Sequence, residues 1–292
     1  MNWFWLAFLS AIFSAAAAIS QKKILFKFEA LEFSLLLSIS NILLLIPFFF
    51  FLNYEDIFFD KLLVLYFKTI LEAFAFWNVM LAIKNFEISK ALPLLALTPG
   101  LVAVSAFVFI GDSLTQTEVL GIFLLVVGTY ILETKSKQDL LDPFKIFIGS
   151  KKHHYVIIAL LLFTITAILD RLLLNRYNLE PKSFLVFQNS FLAFNFILIF
   201  LFSKRSFKKL TGFINVDSLK LLILISVLTI VYRYTQIEAV KIAPVALVLA
   251  VKRISIFFAA VVGGRIFKEH NLWIRAAAAA IIIIGTLLIS AY

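Results

Sequence analysis

Residues 82–133, AIKNFEISKALPLLALTPGLVAVSAFVFIGDSLTQTEVLGIFLLVVGTYILE, align without a gap on residues 239–290, AVKIAPVALVLAVKRISIFFAAVVGGRIFKEHNLWIRAAAAAIIIIGTLLIS. Both stretches begin Ala-Ile/Val-Lys, at Ala82 and Ala239. Both break at a short polar loop, Gly111-Asp112 in the first and Lys268-Glu269 in the second. Both close on Gly-Thr, Gly128-Thr129 and Gly285-Thr286. Each holds two apolar helices' worth of sequence around that break. An ungapped repeat in an apolar chain predicts a membrane protein built from two copies of one unit.

Composition agrees. The 292 residues are 63% hydrophobic and 15% charged, with a mean hydropathy of +1.03. Soluble domains carry about 25% charged residues. There is no Cys, which removes disulfides, thiolate metal sites and thiol catalysis together. The net charge of +10 would suggest nucleic acid in a soluble chain. Here the basic residues lie between apolar runs, where they set topology and meet anionic lipid, and no nucleic-acid partner is expected. The first apolar run lacks a basic leader and a small-residue cleavage site, so it reads as a retained helix.

A membrane-spanning helix needs about 17–25 apolar residues. Ten stretches qualify: about 3–20, 33–52, 61–82, 89–110, 117–133, 155–174, 183–202, 219–238, 242–264 and 272–290. The expected fold is therefore an all-α integral membrane protein with ten transmembrane helices as two inverted five-helix repeats. The first repeat spans residues 1–133, a polar connection 134–152, and the second repeat 153–292. Five is odd, so the second copy must lie upside down. Eighteen of the 27 Lys and Arg fall in or beside the odd-numbered loops and six on the other side. The positive-inside rule puts those loops in the cytoplasm and both termini outside, in a multi-pass protein of the cell (inner) membrane.

Residues 90–131 resemble the second part of an EamA domain of the drug/metabolite transporter superfamily. The features are a Pro-bearing fourth helix, a short Gly-Asp loop and a fifth helix ending Gly-Thr. The stretch VALVLAVKRISIFFAAVVGGRIFKEH, residues 245–270, resembles the equivalent ninth helix and its Lys-Glu loop. The resemblance implies a ten-helix carrier of metabolites, amino acids, drugs or sugar-linked compounds. It also implies a central cavity lined by helices 1, 3, 4, 6, 8 and 9, with helices 5 and 10 for packing. Many relatives are drawn with cytoplasmic termini; the charge count here favours the reverse.

Charge inside a bilayer costs about 2.5–3.5 kcal/mol per group on insertion scales, so such groups face a cavity or a partner. Lys68 and Glu72 are one helical turn apart and can pair. Either they only neutralise each other, or Glu72 takes a proton or a substrate amine while Lys68 holds a carboxylate or phosphate. Trp77 and Asn78 follow on the same helix. Lys252 and Arg253 lie in the ninth span, where the first copy has Leu95 and Ala96, so the scaffold does not demand them. The eighth span offers Thr229, Tyr232, Arg233 and Gln236. Gln188 and Asn189 read as interhelical glue, and Asp170-Arg171 as an end-capping or gating pair. Pro93, Thr98, Pro99 and Gly100 predict an opened backbone in helix 4, tolerated only beside protein or a cavity, and Pro244 does the same near helix 9.

The candidate substrate and coupling residues are thus Lys68, Glu72, Trp77, Asn78, Thr98, Tyr232, Arg233, Gln236, Lys252 and Arg253. No acidic or Cys residue stands at ligand spacing from His153-His154 in the sequence, and neither a Walker pattern nor a G-x-G-x-x-G loop occurs, so no metal, catalytic residue or cofactor is expected. The expected function is a secondary transporter, exporter or exchanger, of a small anionic or zwitterionic metabolite such as an amino acid or organic acid. Protons are a candidate coupling ion, lipids surround it, and a monomer suffices. The alternative is a flippase for a lipid or polyprenyl-phosphate conjugate. An enzyme would need clustered acid–base or metal-binding side chains at the membrane surface, and three scattered His do not supply them.

Overall fold

Short local signals set where each helix begins. Asn2 caps the first helix by accepting from the Phe4 amide at 3.3 Å. Glu29 and Glu32 form a capping box at the start of the second. Pro181 opens the seventh at the position where a missing N–H costs nothing. Asn215 caps the eighth through the Ser218 amide at 2.8 Å. The computed structural model describes residues 2–52, 54, 58–95, 115–133, 151–203, 215–243, 248 and 251–290.

Among them every regular element is helical. We number them α1 (Trp3–Ile24), α2 (Ala30–Leu45), α3 (Phe59–Asn85), α4 (Ile88–Leu95), α5 (Gln116–Glu133), α6 (Lys151–Arg171), α7 (Pro181–Phe202), α8 (Val216–Ile242), α9 (Ile254–Phe258, Ala259–Gly263 and Gly264–Ile266 in series) and α10 (Leu272–Ser290). Pro47 tightens the end of α2 into a 3₁₀ turn, Ile46–Phe51. A wider π turn, Leu172–Arg176, extends α6, and the middle segment of α9 is also π. Among the described residues, five helices are long and apolar enough to cross a membrane: Trp3–Ile24, Ala30–Phe51, Phe59–Asn85, His153–Leu174 and Pro181–Phe202. Large apolar side chains such as Phe50, Phe59, Phe202 and Trp273 are exposed along the outside, as a lipid-facing surface requires.

Two boundaries differ from expectation. Helix α8 runs on past the expected end near 238 to Ile242, where the ninth span was expected to begin; the Ala243 amide still bonds to the Ala239 carbonyl at 3.0 Å. In α9 the chain turns at Arg253 before regular helix resumes, where a single continuous span was expected. Thr98, Pro99, Gly100 and Pro244 lie outside the described residues.

The helices pair across the two halves of the chain. Helix α1 packs on α8 and α3 on α6; α2 packs on α7 and α5 on α10; α3 also meets α7, α2 meets α8, and α4 meets the π segment of α9. Small residues permit the closest approaches. A β-carbon on Gly285 would sit 2.7 Å from the Gly121 carbonyl oxygen and 3.1 Å from the Leu125 nitrogen. One on Gly128 would sit 3.1 Å from the Ala278 carbonyl oxygen and 3.2 Å from the Ile282 nitrogen. Gly121, Leu125 and Gly128 are 157 residues before Ala278, Ile282 and Gly285, so one contact is made twice with the partners exchanged.

One membrane face is tied by charged side chains. The Lys22 ammonium donates to the carbonyls of Ile83 (2.5 Å), Lys84 (3.4 Å) and Phe86 (2.5 Å), closing the C-terminal end of α3. Glu269, from the turn before α10, accepts the Ile88 amide at 2.6 Å and so holds the start of α4. Lys84 pairs with Glu29 at 2.6 Å, and Arg275 pairs with Glu87. Lys22→Met leaves buried carbonyls without their charged donor. We expect it to lower stability by about 1.5–3 kcal/mol, with amide exchange accelerated around residues 83–88 in a hydrogen-exchange measurement.

Candidate functional site

Three helices bring charge to one point inside the bundle, and a fourth adds an amide. Lys68 on α3, wholly buried, lies 2.7 Å from Glu72 Oε2 and 2.7 Å from Asp170 Oδ1 at the end of α6. Arg233 on α8 reaches Glu72 Oε1 at 3.3 Å and Asp170 Oδ2 at 4.0 Å. The Gln188 amide on α7 donates to both Glu72 oxygens at 2.6 Å. Lys68 also sits 5.2 Å over the Phe184 ring. The expected Lys68–Glu72 pair is present, one turn apart, and it is the base of a larger array.

The array borders a cavity of about 170 Å³ lined by Ser34, Leu37, Ser38, Asn41, Glu72, Phe76, Phe163, Gln188, Asn189, Leu192, Phe196, Thr229, Tyr232, Arg233 and Lys252. The lining therefore mixes polar and charged side chains with Leu and Phe. Lys252 donates to Gln236 Oε1 and stands 5.0 Å over the Tyr232 ring. Among the described residues it has no carboxylate partner. Three cavity-lining side chains keep a buried polar atom unbonded: Asn41 Oδ1, Gln188 Oε1 and Thr229 Oγ1. Such groups cost free energy unless something bonds them.

Of the candidate residues, Glu72, Tyr232, Arg233 and Lys252 line the cavity, with Lys68 and Gln236 directly behind them. Trp77 packs with apolar side chains of the core instead. Asn78 turns back on its own helix, donating to the Phe74 carbonyl at 2.8 Å. Arg253 is not among the lining residues, and its Nε has no hydrogen-bond partner. Thr98 lies outside the described residues.

Three expectations need correction. Asp170, read from the sequence as part of an end-capping or gating pair, is a second acid facing Lys68 and Arg233. Gln188 bridges helices as expected of glue, yet the group it holds is the Glu72 carboxylate. The cavity is lined by α2 and α7, which the family resemblance had not implied, and no α1 residue lines it. A signal for α2 was in the sequence: Ser34, Ser38 and Asn41 stand at i, i+4 and i+7, a polar stripe along one face of an apolar helix. Asn41 donates to Asn189 Oδ1 at 3.2 Å, joining α2 to α7.

A bundle with lipid-facing Phe outside and a charged cavity within is what a solute carrier requires, and the sequence of its first half decides the family. Residues 1–134 match the model of the EamA-like transporter family. They are an EamA domain of the drug/metabolite transporter superfamily. That half matches a family of membrane transporters of the drug/metabolite type, and five helices among the described residues are long and apolar enough to cross a membrane. No curated protein sequence matches this chain. A solved crystal structure superposes on it with a TM-score of 0.64, over 98% of this chain and 95% of its own, at 11% sequence identity. That likeness concerns the fold alone. The family match covers the α1–α5 half, including residues 90–131; the resemblance of residues 245–270 lies beyond it.

Proposed function

We propose that this EamA protein is a secondary transporter that moves a small metabolite bearing a carboxylate or phosphate by alternating access. The observation that carries the reading is Lys252. Lys68 and Arg233 each face Glu72 and Asp170, so two cations and two carboxylates balance. Lys252 lines the cavity with the Gln236 amide oxygen and the Tyr232 ring beside it and, among the described residues, no carboxylate within salt-bridge distance. A desolvated cation in that position favours an anionic group on the substrate. The unbonded oxygens of Asn41, Gln188 and Thr229 favour a substrate that also brings hydrogen-bond donors, as a zwitterionic amino acid does. Glu72 and Asp170 are the groups at which a proton would be exchanged if transport is proton-coupled.

The architecture that suits this mechanism is ten spans in two inverted five-helix repeats, residues 1–133 and 153–292 with 134–152 between them. Support comes from the pairing of helices. Exchanging every helix with the one five places along carries α1/α8 onto α6/α3 and α3/α7 onto α8/α2, and leaves α2/α7, α4/α9 and α5/α10 unchanged. Rocking of one such repeat against the other around a fixed site is how inverted repeats alternate access. On this reading one chain holds a complete site, the monomer is the working unit, and the odd-numbered loops face the cytoplasm of an inner-membrane carrier.

The test is counterflow in proteoliposomes with a panel of labelled amino acids and organic anions. Wild type is expected to exchange one solute class. Lys252→Ala is expected to lose at least about tenfold of that exchange, the worth of one charge-assisted hydrogen bond, and Glu72→Gln to lose it as well. Transit of headgroup-labelled lipid with no exchange of any soluble compound would overturn the carrier reading in favour of a flippase.

A further inference from the structure

A second polar site shares no lining residue with the cavity and lies where the end of α1 meets the start of α8. A pocket of about 110 Å³ is lined there by Lys23, Ile24, Lys27, Asp217, Ser218 and Leu221. The chain stays in helical turns past Ile24, with the Leu25 amide on Gln21 and the Phe28 amide on Ile24, so Lys23 and Lys27 lie one turn apart on the same side. Both are exposed, and neither they nor Asp217 makes an ion pair among the described residues. The first turn of α8 presents the positive end of a 27-residue helix here. Ser218 points to a missing partner: it is 4% exposed, lines the pocket, and its hydroxyl has no hydrogen bond. Asn215 satisfies only the Ser218 backbone amide.

We propose that this pocket binds the headgroup of a phosphoethanolamine lipid. The phosphate would meet Lys23, Lys27, the Ser218 hydroxyl and the helix start. The ammonium would meet the Asp217 carboxylate, which a purely anionic headgroup would find repulsive. Ile24 and Leu221 supply an apolar floor for the glycerol end of the acyl chains. Both flanking loops belong to the Lys/Arg-rich face, where clusters of basic residues meet lipid phosphates. A primary ammonium can donate three hydrogen bonds and a trimethylammonium none, so ethanolamine is preferred to choline. The site requires that the chain sit in a bilayer and does not depend on what it transports.

The experiment is native mass spectrometry of the full chain in detergent, with phosphatidylethanolamine, phosphatidylglycerol and phosphatidylcholine supplied in equal amounts. Wild type is expected to retain the ethanolamine lipid above the other two. Lys23→Gln with Lys27→Gln is expected to lower that retention about tenfold, two cations near an interface being involved. Asp217→Asn is expected to abolish the preference over phosphatidylglycerol. These side chains are exposed, so lipid-free unfolding temperatures are expected to match wild type, which separates lost binding from lost folding. Equal retention in wild type and the double variant overturns the proposal. Displacement of the lipid by millimolar inorganic phosphate also overturns it, because the pocket would then be a site for a free anion.

Discussion

Lys68→Met is expected to destabilise the protein by about 3–5 kcal/mol, the cost of removing one partner from a buried ion pair. Lys68 is wholly buried between Glu72 and Asp170, 2.7 Å from each. Without its ammonium, two carboxylates share Arg233 at 3.3 and 4.0 Å, and the Gln188 amide serves Glu72 alone. One negative charge is left uncompensated among α3, α6, α7 and α8. Thermal unfolding in a fixed detergent measures the loss. The double variant Lys68→Met/Asp170→Asn restores the balance of one cation to one carboxylate, so it is expected to recover more than half of the stability. Additive losses in the two single variants would mean that Lys68 and Asp170 act separately, contrary to the shared array. Transport is expected to remain impaired even in the rescued double variant, because Glu72 and Arg233 then pair without the group that positions them.

Gly285→Ala is expected to cost about 1–3 kcal/mol, the range for forced overpacking, and Gly128→Ala is expected to cost less. At Gly285 the nearest atom to a new β-carbon is the Gly121 carbonyl oxygen at 2.7 Å, with Leu125 nitrogen and Leu124 Cβ at 3.1 Å. Backbone cannot rotate aside, so α5 and α10 must separate along their shared face. At Gly128 the closest atom, at 2.6 Å, is Cγ1 of Ile282, a side-chain atom that a small χ1 shift can move back. Its backbone neighbours start at 3.1 Å, and the gain of about 0.5–1 kcal/mol from replacing a helical Gly offsets part of the remaining strain. The two positions are equivalents in the repeat, so a matched pair of unfolding curves compares them directly. Equal losses would mean that the two sides of the contact are alike in solution.

Much of the architecture is legible in residue order. The apolar runs, the Asn2, Glu29–Glu32 and Asn215 caps, and Pro47 and Pro181 each act within one or two turns, so their consequences can be read locally. The ungapped match of residues 82–133 to 239–290 anticipates the doubled glycine contact, because equivalent residues in two copies meet equivalent surroundings. Lys68 and Glu72 were readable as a pair because four residues on a helix bring two side chains to one side.

Other features depend on packing between distant segments. Asp170 stands at a helix end, where capping is the ordinary explanation; its role beside Lys68 comes from α6 lying against α3, 102 residues away in sequence. Gln188 looks the same in sequence whether it holds a backbone or a carboxylate. Trp77 and Asn78 carry chemistry by residue type, yet α3 turns one into the apolar core and lets the other bond to its own helix. Residue type and period determine that this chain makes apolar helices with rare buried charges, because desolvation makes each such charge seek a partner. Which partner it finds is a matter of which helix faces meet, and that is set by the summed fit of many small side chains, a quantity no local stretch contains.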